Sequence, residues 1–117
     1  MTTISEHAGL ATFINVFTVE PSNQQALLDL LVHATDTHVR ALPGFVSAAL
    51  HRSVDGARVT MYAQWQSLEH YRRYQATLSD PSAAPYVAQV LAIARFEPAM
   101  VEVVKVFAGS AAKDAGF

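Results

Sequence analysis

The chain of 117 residues contains no cysteine, which removes disulfide frameworks, thiolate nucleophiles and cysteine-based metal sites. Charge is also scarce: Asp, Glu, Lys and Arg make up 15% of the residues, against about 25% in an average soluble domain. The eight basic residues are dispersed and the formal net charge is −2, so there is no basic stripe to meet a phosphate backbone and nucleic acid is not an expected partner. No apolar run approaches a membrane span, and residues 1–9 lack the basic start and apolar core of a signal peptide. The expected location is the cytoplasm, with no membrane association. The five glycines are scattered, so no phosphate-cradling loop is visible, and no Gly-x-Ser-x-Gly elbow presents a serine nucleophile. Of the five histidines, only His33 and His38 lie near each other on one predicted helix, and their spacing turns them to different faces. A metal site is therefore not expected.

What remains is apolar. Half of the chain, 51%, is hydrophobic, enough to build one real core and too much for a disordered segment. The reading is a lead-in over 1–9, one domain over 10–107 and a small-residue tail over 108–117. So little charge on so small a domain favours further burial by self-association.

The segment from Pro43 to Ser67 organises the rest. Phe45 to Arg52 and Ala57 to Gln66 are β-forming runs on either side of Val54-Asp55-Gly56, where Asp-Gly supports a tight turn. Two registers are open. A two-residue Asp55-Gly56 loop puts His51 opposite Thr60 and leaves Trp65 on the other face; a three-residue loop pairs Ser53 with Ala57. The second is preferred here, with Gly56 in the left-handed region. One face then carries Phe45, Ser47, Ala49, His51, Val59, Met61, Ala63 and Trp65. Neither face is charged, so both are expected to be covered. The small Ser47, Ala49 and Ala63 among large neighbours predict a cavity beneath the covering helices.

Before the hairpin, Leu10 to Val19 reads as a strand with Phe13, Asn15, Phe17 and Val19 on one side. Pro21 to about Ala41 reads as a helix, with Ser22 as cap and Gln25 closing a capping box. After the hairpin, Ser67 caps a second helix carrying Tyr71, a short helix follows over Ala84 to Ala94, and Phe96 to Phe107 forms the last strand. Strand, helix, strand, strand, helix, strand is the α+β, ferredoxin-like split βαβ arrangement with an antiparallel sheet. Helices cover one sheet face, and the second apolar face predicts a homodimer joined through it.

Trp65, Tyr71 and His51 are the candidate chemical group. An aromatic at a strand end under a helix is ordinarily core. The functional alternative is a planar aromatic ligand between helix and sheet, with Trp65 and Phe45 as walls and His51 and Tyr71 as polar groups. His51 has the pKa range of a general base.

The run PGFVSAALHRSVDGARVTMYAQWQS followed by YRRY resembles the antibiotic biosynthesis monooxygenase family, in particular the small quinone-forming anthrone monooxygenases of aromatic polyketide pathways. PGF and the SxDG turn mark the fold; YAQW with the following Tyr71 is more specific. The resemblance implies a dimeric α+β barrel that oxidises an anthrone-like substrate to a quinone with molecular oxygen and no cofactor. Carried over by position, it implies Trp65, Tyr71 and His51 as the catalytic pocket residues; the cavity read from the hairpin face adds Phe45, Ser47, Ala49, Met61 and Ala63 as substrate-binding residues, and Tyr86 is the polar group expected to stand in for the family's arginine. Two positions depart from the family pattern: Met61 stands where related enzymes carry asparagine, and Pro85-Tyr86-Val87 where they carry arginine. An accessory ligand-binding dimer, or a non-oxidative isomerase or cyclase on the same fold, remain the alternatives.

Overall fold

In the computed structural model, which describes residues 2–6 and 9–110, the elements follow as β1 (Ala11–Val19), α1 (Gln24–Thr37), β2 (Phe45–Arg52), β3 (Arg58–Trp65), α2 (Leu68–Thr77), α3 (Tyr86–Ile93) and β4 (Ala94–Val101). The strands form one antiparallel sheet in the order β2-β3-β1-β4. This is the expected ferredoxin-like α+β topology. Most of the anticipated tail, residues 111–117, lies outside the described residues, as does His7. Among the described residues no helix is long and apolar enough to cross a membrane.

β1 is central, and its alternation serves one face buried under the helices and a second that is partly buried. Phe13, Asn15, Phe17 and Val19 are buried toward the helices, as the period-two pattern predicts. On the other side Thr12 is also buried, while Ile14 and Val16 are half-buried. The helices meet the inner face through Leu27, Leu28 and Leu31 of α1, Tyr71 of α2 and Val90 of α3. Two apolar clusters result, one around Phe17, Leu27 and Val59, the other around Phe13, Trp65 and Tyr71.

The helix boundaries differ from the sequence reading in detail. Pro21–Asn23 forms a 3-10 turn instead of a capping box, and α1 stops at Thr37 before a second such turn over Val39–Ala41. Ser67 does cap α2, its hydroxyl accepting from the His70 backbone N–H at 3.2 Å. β4 begins at Ala94 and ends at Val101. The segment expected to continue it leaves the sheet, where the Val106 N–H donates to Glu6 Oε1 at 3.0 Å and Lys105 approaches the same carboxylate at 3.6 Å. Pro98 is tolerated because β4 is an edge strand.

The hairpin overturns the preferred register. His51 pairs with Thr60 and Arg52 with Val59, which is the alternative pairing weighed above. The turn spans Val54 to Ala57 and is held from within. Asp55 Oδ1 accepts from the Ser53 hydroxyl at 2.7 Å and the Ala57 N–H at 3.0 Å, and Gly56 takes φ +82°. Those two donors, with the Ala57 N–H the stronger, hold the Asp55 carboxyl below its usual pKa. Gln24, buried at the start of α1, donates to the carbonyls of Ser53 and Arg58 at 3.2 and 3.0 Å and ties the hairpin end to the helix. A β-bulge between Phe45 and Ser47 then keeps Phe45 beside Trp65 while every later residue of β2 changes face.

Gly44 fixes how β2 enters. Its φ is +84°, its carbonyl accepts from Gln66 N–H at 2.7 Å, and a Cβ there would overlap the imidazole of His70. That ring is itself held by Ser67 Oγ at 2.7 Å from Nδ1, so it cannot swing aside without disturbing the α2 cap. Gly44→Ala is therefore expected to lower stability by about 2–4 kcal/mol through backbone strain and overpacking. Urea unfolding checks this, and an unchanged midpoint would refute the packing argument.

Candidate active site

Between the inner sheet face and the helices lies a cavity of ≈ 140 Å³. One water needs about 10–15 Å³ of such space, so the cavity suits a small organic molecule better than a trapped solvent site. Its floor comes from alternate residues of the two central strands. Phe13, Asn15 and Phe17 of β1 lie directly opposite Ala63, Met61 and Val59 of β3. Ala63, between Met61 and Trp65, is the small residue that leaves room. The roof comes from Leu31 and Ala34 of α1, Tyr71 and Tyr74 of α2, and Tyr86 and Val90 of α3.

One end of the cavity is aromatic. Trp65, the single tryptophan and 1% exposed, meets Phe45 edge-on with centroids 5.4 Å apart and stacks on Tyr74 at 5.3 Å with 20° between planes. Tyr71 packs on Phe13 at 4.8 Å and stands 6.2 Å from Trp65. These contacts immobilise the indole, giving a rigid wall for a flat ligand.

The polar groups are few. Asn15 is 8% exposed, and its Oδ1 is buried without a hydrogen-bond partner among the described residues. The other such atom, His38 Nε2, belongs to a residue outside the cavity lining. Across the cavity Tyr74 and Tyr86 share a hydrogen bond of 3.0 Å. Burial pushes the hydroxyl pKa values of Tyr71, Tyr74 and Tyr86 up; the neighbouring Tyr86 adds to the rise at Tyr74, while the hydrogen bond from Tyr74 offsets part of it at Tyr86. All three stay protonated at neutral pH and serve as hydrogen-bond groups. Among the described residues, the cavity lining includes no His, Asp, Glu, Lys or Arg.

The cavity gathers six of the residues expected from sequence: Phe45, Met61, Ala63, Trp65, Tyr71 and Tyr86. It does not gather His51, Ser47 or Ala49. His51 is exposed and paired with Thr60, Ser47 donates to Gln64 Oε1 at 2.8 Å, and Ala49 pairs with Tyr62, all on the opposite sheet face. The four-residue turn and the bulge cause this correction, because a shift of one residue reverses every side chain. Asn15 and Tyr74 were missed. Asn15 had a signal, as the one carboxamide on an otherwise apolar phase of β1. Tyr74 had a weaker one, three residues from Tyr71 on the same helix. Asn15 also bears on Met61: the two are cross-strand partners, so a carboxamide stands beside the methionine, supplied by the neighbouring strand.

Comparison with known proteins gives a consistent picture. The model for antibiotic biosynthesis monooxygenases matches residues 11–88. A tetracenomycin-F1 monooxygenase from Streptomyces glaucescens is 39% identical over 98% of this chain and 100% of its own length. The ActVA-Orf6 monooxygenase of Streptomyces coelicolor, solved with nanaomycin D, is 27% identical with TM-score 0.64, over 86% of this chain and 93% of that one. SnoaB from Streptomyces nogalater, a cofactor-independent oxygenase, shares the fold at 24% identity and TM-score 0.63, over 85% and 97%.

An unpartnered buried carbonyl costs about 1–3 kcal/mol in desolvation. Asn15→Leu is therefore expected to raise the unfolding free energy by about 1 kcal/mol while filling the site. Urea denaturation measures this; a fall in stability would mean that Asn15 is satisfied in the resting protein.

Proposed function

Because this chain belongs to the antibiotic biosynthesis monooxygenase family and is a monooxygenase, we propose that it oxidises an anthrone-like polycyclic phenol to a quinone with molecular oxygen and without a cofactor. The observation that carries this reading is the cavity: apolar, aromatic-walled, free of charged side chains, with the unpaired Asn15 carboxamide in its floor. The names of two relatives support an aromatic natural product as substrate, since they act on tetracenomycin F1 or hold nanaomycin D.

In this reading the substrate supplies the electrons. Loss of a proton from its methylene carbon leaves a delocalised anion with charge on the carbonyl oxygen. Transfer of an electron to oxygen and recombination at that carbon form a peroxide. Elimination of water, taking the second hydrogen of the carbon, leaves the new carbonyl: one oxygen atom is retained and the other departs in water. The protein's share is to favour and hold the anion. Asn15 offers both a donor and an acceptor, and Tyr71 offers a hydroxyl. In a site with few competing waters, such groups stabilise developing charge more strongly than in solvent. Trp65 and Phe45 fix the ring plane, which is the orientation term. The proton leaves to solvent or to reduced oxygen, since the lining holds no carboxylate or imidazole to take it.

We further propose a homodimer joined through the outer sheet face. Ile14, Val16, Thr60 and Tyr62 form its uncharged centre, and exposed Val104 and Phe107 lie just beyond β4. Sedimentation equilibrium is expected to return twice the chain mass; a single-chain mass at micromolar concentration would sink the dimer.

Oxygen consumption with a tricyclic anthrone, corrected for spontaneous oxidation, tests the chemistry. Uptake by the wild type is expected to fall about 10²-fold in Asn15→Leu, on the scale of losing one anion-stabilising donor, and to persist in His51→Ala. Uptake no faster than the protein-free blank would overturn the reading, and loss of uptake in His51→Ala would restore a role for the opposite face.

A further inference from the structure

The Tyr74–Tyr86 pair is not needed by the oxidation as derived above, yet it lines the same cavity and departs from simple core packing. Its hydroxyl accounting is incomplete. Two phenols carry two protons, and the 3.0 Å contact uses one of them. The second has no further protein acceptor among the described residues. Asn15 Oδ1, on the floor, likewise has none. The cavity, whose other polar lining side chains are Thr35, Trp65, Tyr71 and Gln75, thus holds a spare donor on the helix layer and a spare acceptor on the sheet.

The two lie at different places along the fold. Tyr74 stacks on Trp65, whose strand position is opposite Ala11. Asn15 is four residues further along β1, in the sheet layer that faces the helices. A ligand satisfying both needs two oxygen functions, one toward the helix layer and one toward the sheet.

We propose that the Tyr74–Tyr86 hydroxyl pair is a specificity-determining site that donates to a second oxygen of a polycyclic aromatic substrate, a ring hydroxyl or carbonyl other than the one that Asn15 meets. This rests on the cavity being the substrate site. The pair suits the task because each hydroxyl orients the other: whichever accepts within the pair has its proton turned outward, and a pre-oriented donor loses little entropy on binding. The stack on Trp65 holds the Tyr74 ring in place. The high hydroxyl pKa values keep the pair a donor across the neutral range, so its recognition is independent of pH there.

The rival account is that the bond only ties α2 to α3. Ligand discrimination separates the two. Trp65 is the chain's one tryptophan and lies in the wall, so quenching of its fluorescence reports cavity occupancy directly. The probes are a dihydroxyanthraquinone and unsubstituted anthraquinone, neither of which can be oxidised further at the central carbons. Wild type is expected to prefer the hydroxylated compound. In Tyr86→Phe, and in Tyr74→Phe where stacking on Trp65 is retained, that preference should fall about 5- to 10-fold, the range of one neutral hydrogen bond. Binding of the unsubstituted compound should change less than about twofold on that scale. Equal weakening of both probes, or of neither, would overturn the proposal. Thermal melts of each variant show whether a general loss of fold causes equal weakening, and Tyr86→Phe leaves the Trp65 stack untouched as the independent check. No oxygen uptake enters this experiment. Selective binding without turnover would refute the oxidation reading alone, and turnover with unchanged selectivity in the variants would refute the tyrosine site alone.

Discussion

The pairing of β1 with β3 is the constraint on which the site depends. Once Phe17 sits opposite Val59, period-two alternation delivers Asn15 beside Met61, Phe13 beside Ala63 and Ala11 beside Trp65. Of these, Phe13, Asn15, Phe17, Met61, Ala63 and Trp65 line the cavity, and the same register turns Thr12, Ile14 and Val16 to the other face. A slip of one residue would put the threonines and Ile14 into the core. The 0% exposure of Val59, with Phe17 packed in the same cluster, makes such a slip expensive. The precise placement of a single polar group therefore follows from strong apolar burial on both sides of it.

Around that floor, packing is deliberately incomplete. The two apolar clusters are dense, and the space between them is held open because Ala63 and Ala34 are small where their neighbours are aromatic. Cavities and unpaired carbonyls destabilise a fold, and both occur here in one place. Such a concentration is typical of a working site, where stability is given up locally and recovered in the surrounding core. The absence of charged side chains from the lining fits a chemistry in which the substrate carries the charge and the protein arranges hydrogen bonds and flat walls.

How much of this could be read beforehand differs from residue to residue. Trp65 and Tyr71 were legible because a strand terminus followed by a capped helix brings them together by local rules alone: Ser67 caps α2, and Tyr71 is one turn in. Met61 and Ala63 followed from the alternation of β3 with Trp65, whereas Phe45 reached the cavity face only through the bulge. Tyr86 followed from the family comparison and lies in the lining. His51 was misplaced because the turn's length is set by hydrogen bonds inside it, from Ser53 and Ala57 to Asp55, and the composition of the loop does not report which are made. Ser47 and Ala49 went with it. The bulge that kept Phe45 in place has no signature in the run of small residues around it.

The sequence by itself determined the classes of element, their order, the split βαβ topology and the uncharged, aromatic character of the site. Those properties depend on periodicity, capping and composition, which act over a few residues. Tertiary structure alone decided which face each side chain of β2 occupies, that Asn15 stands across from Met61, and that Tyr74 meets Tyr86. Each of these is a contact between segments distant in the chain, set by register and by helix placement, and no local preference encodes it.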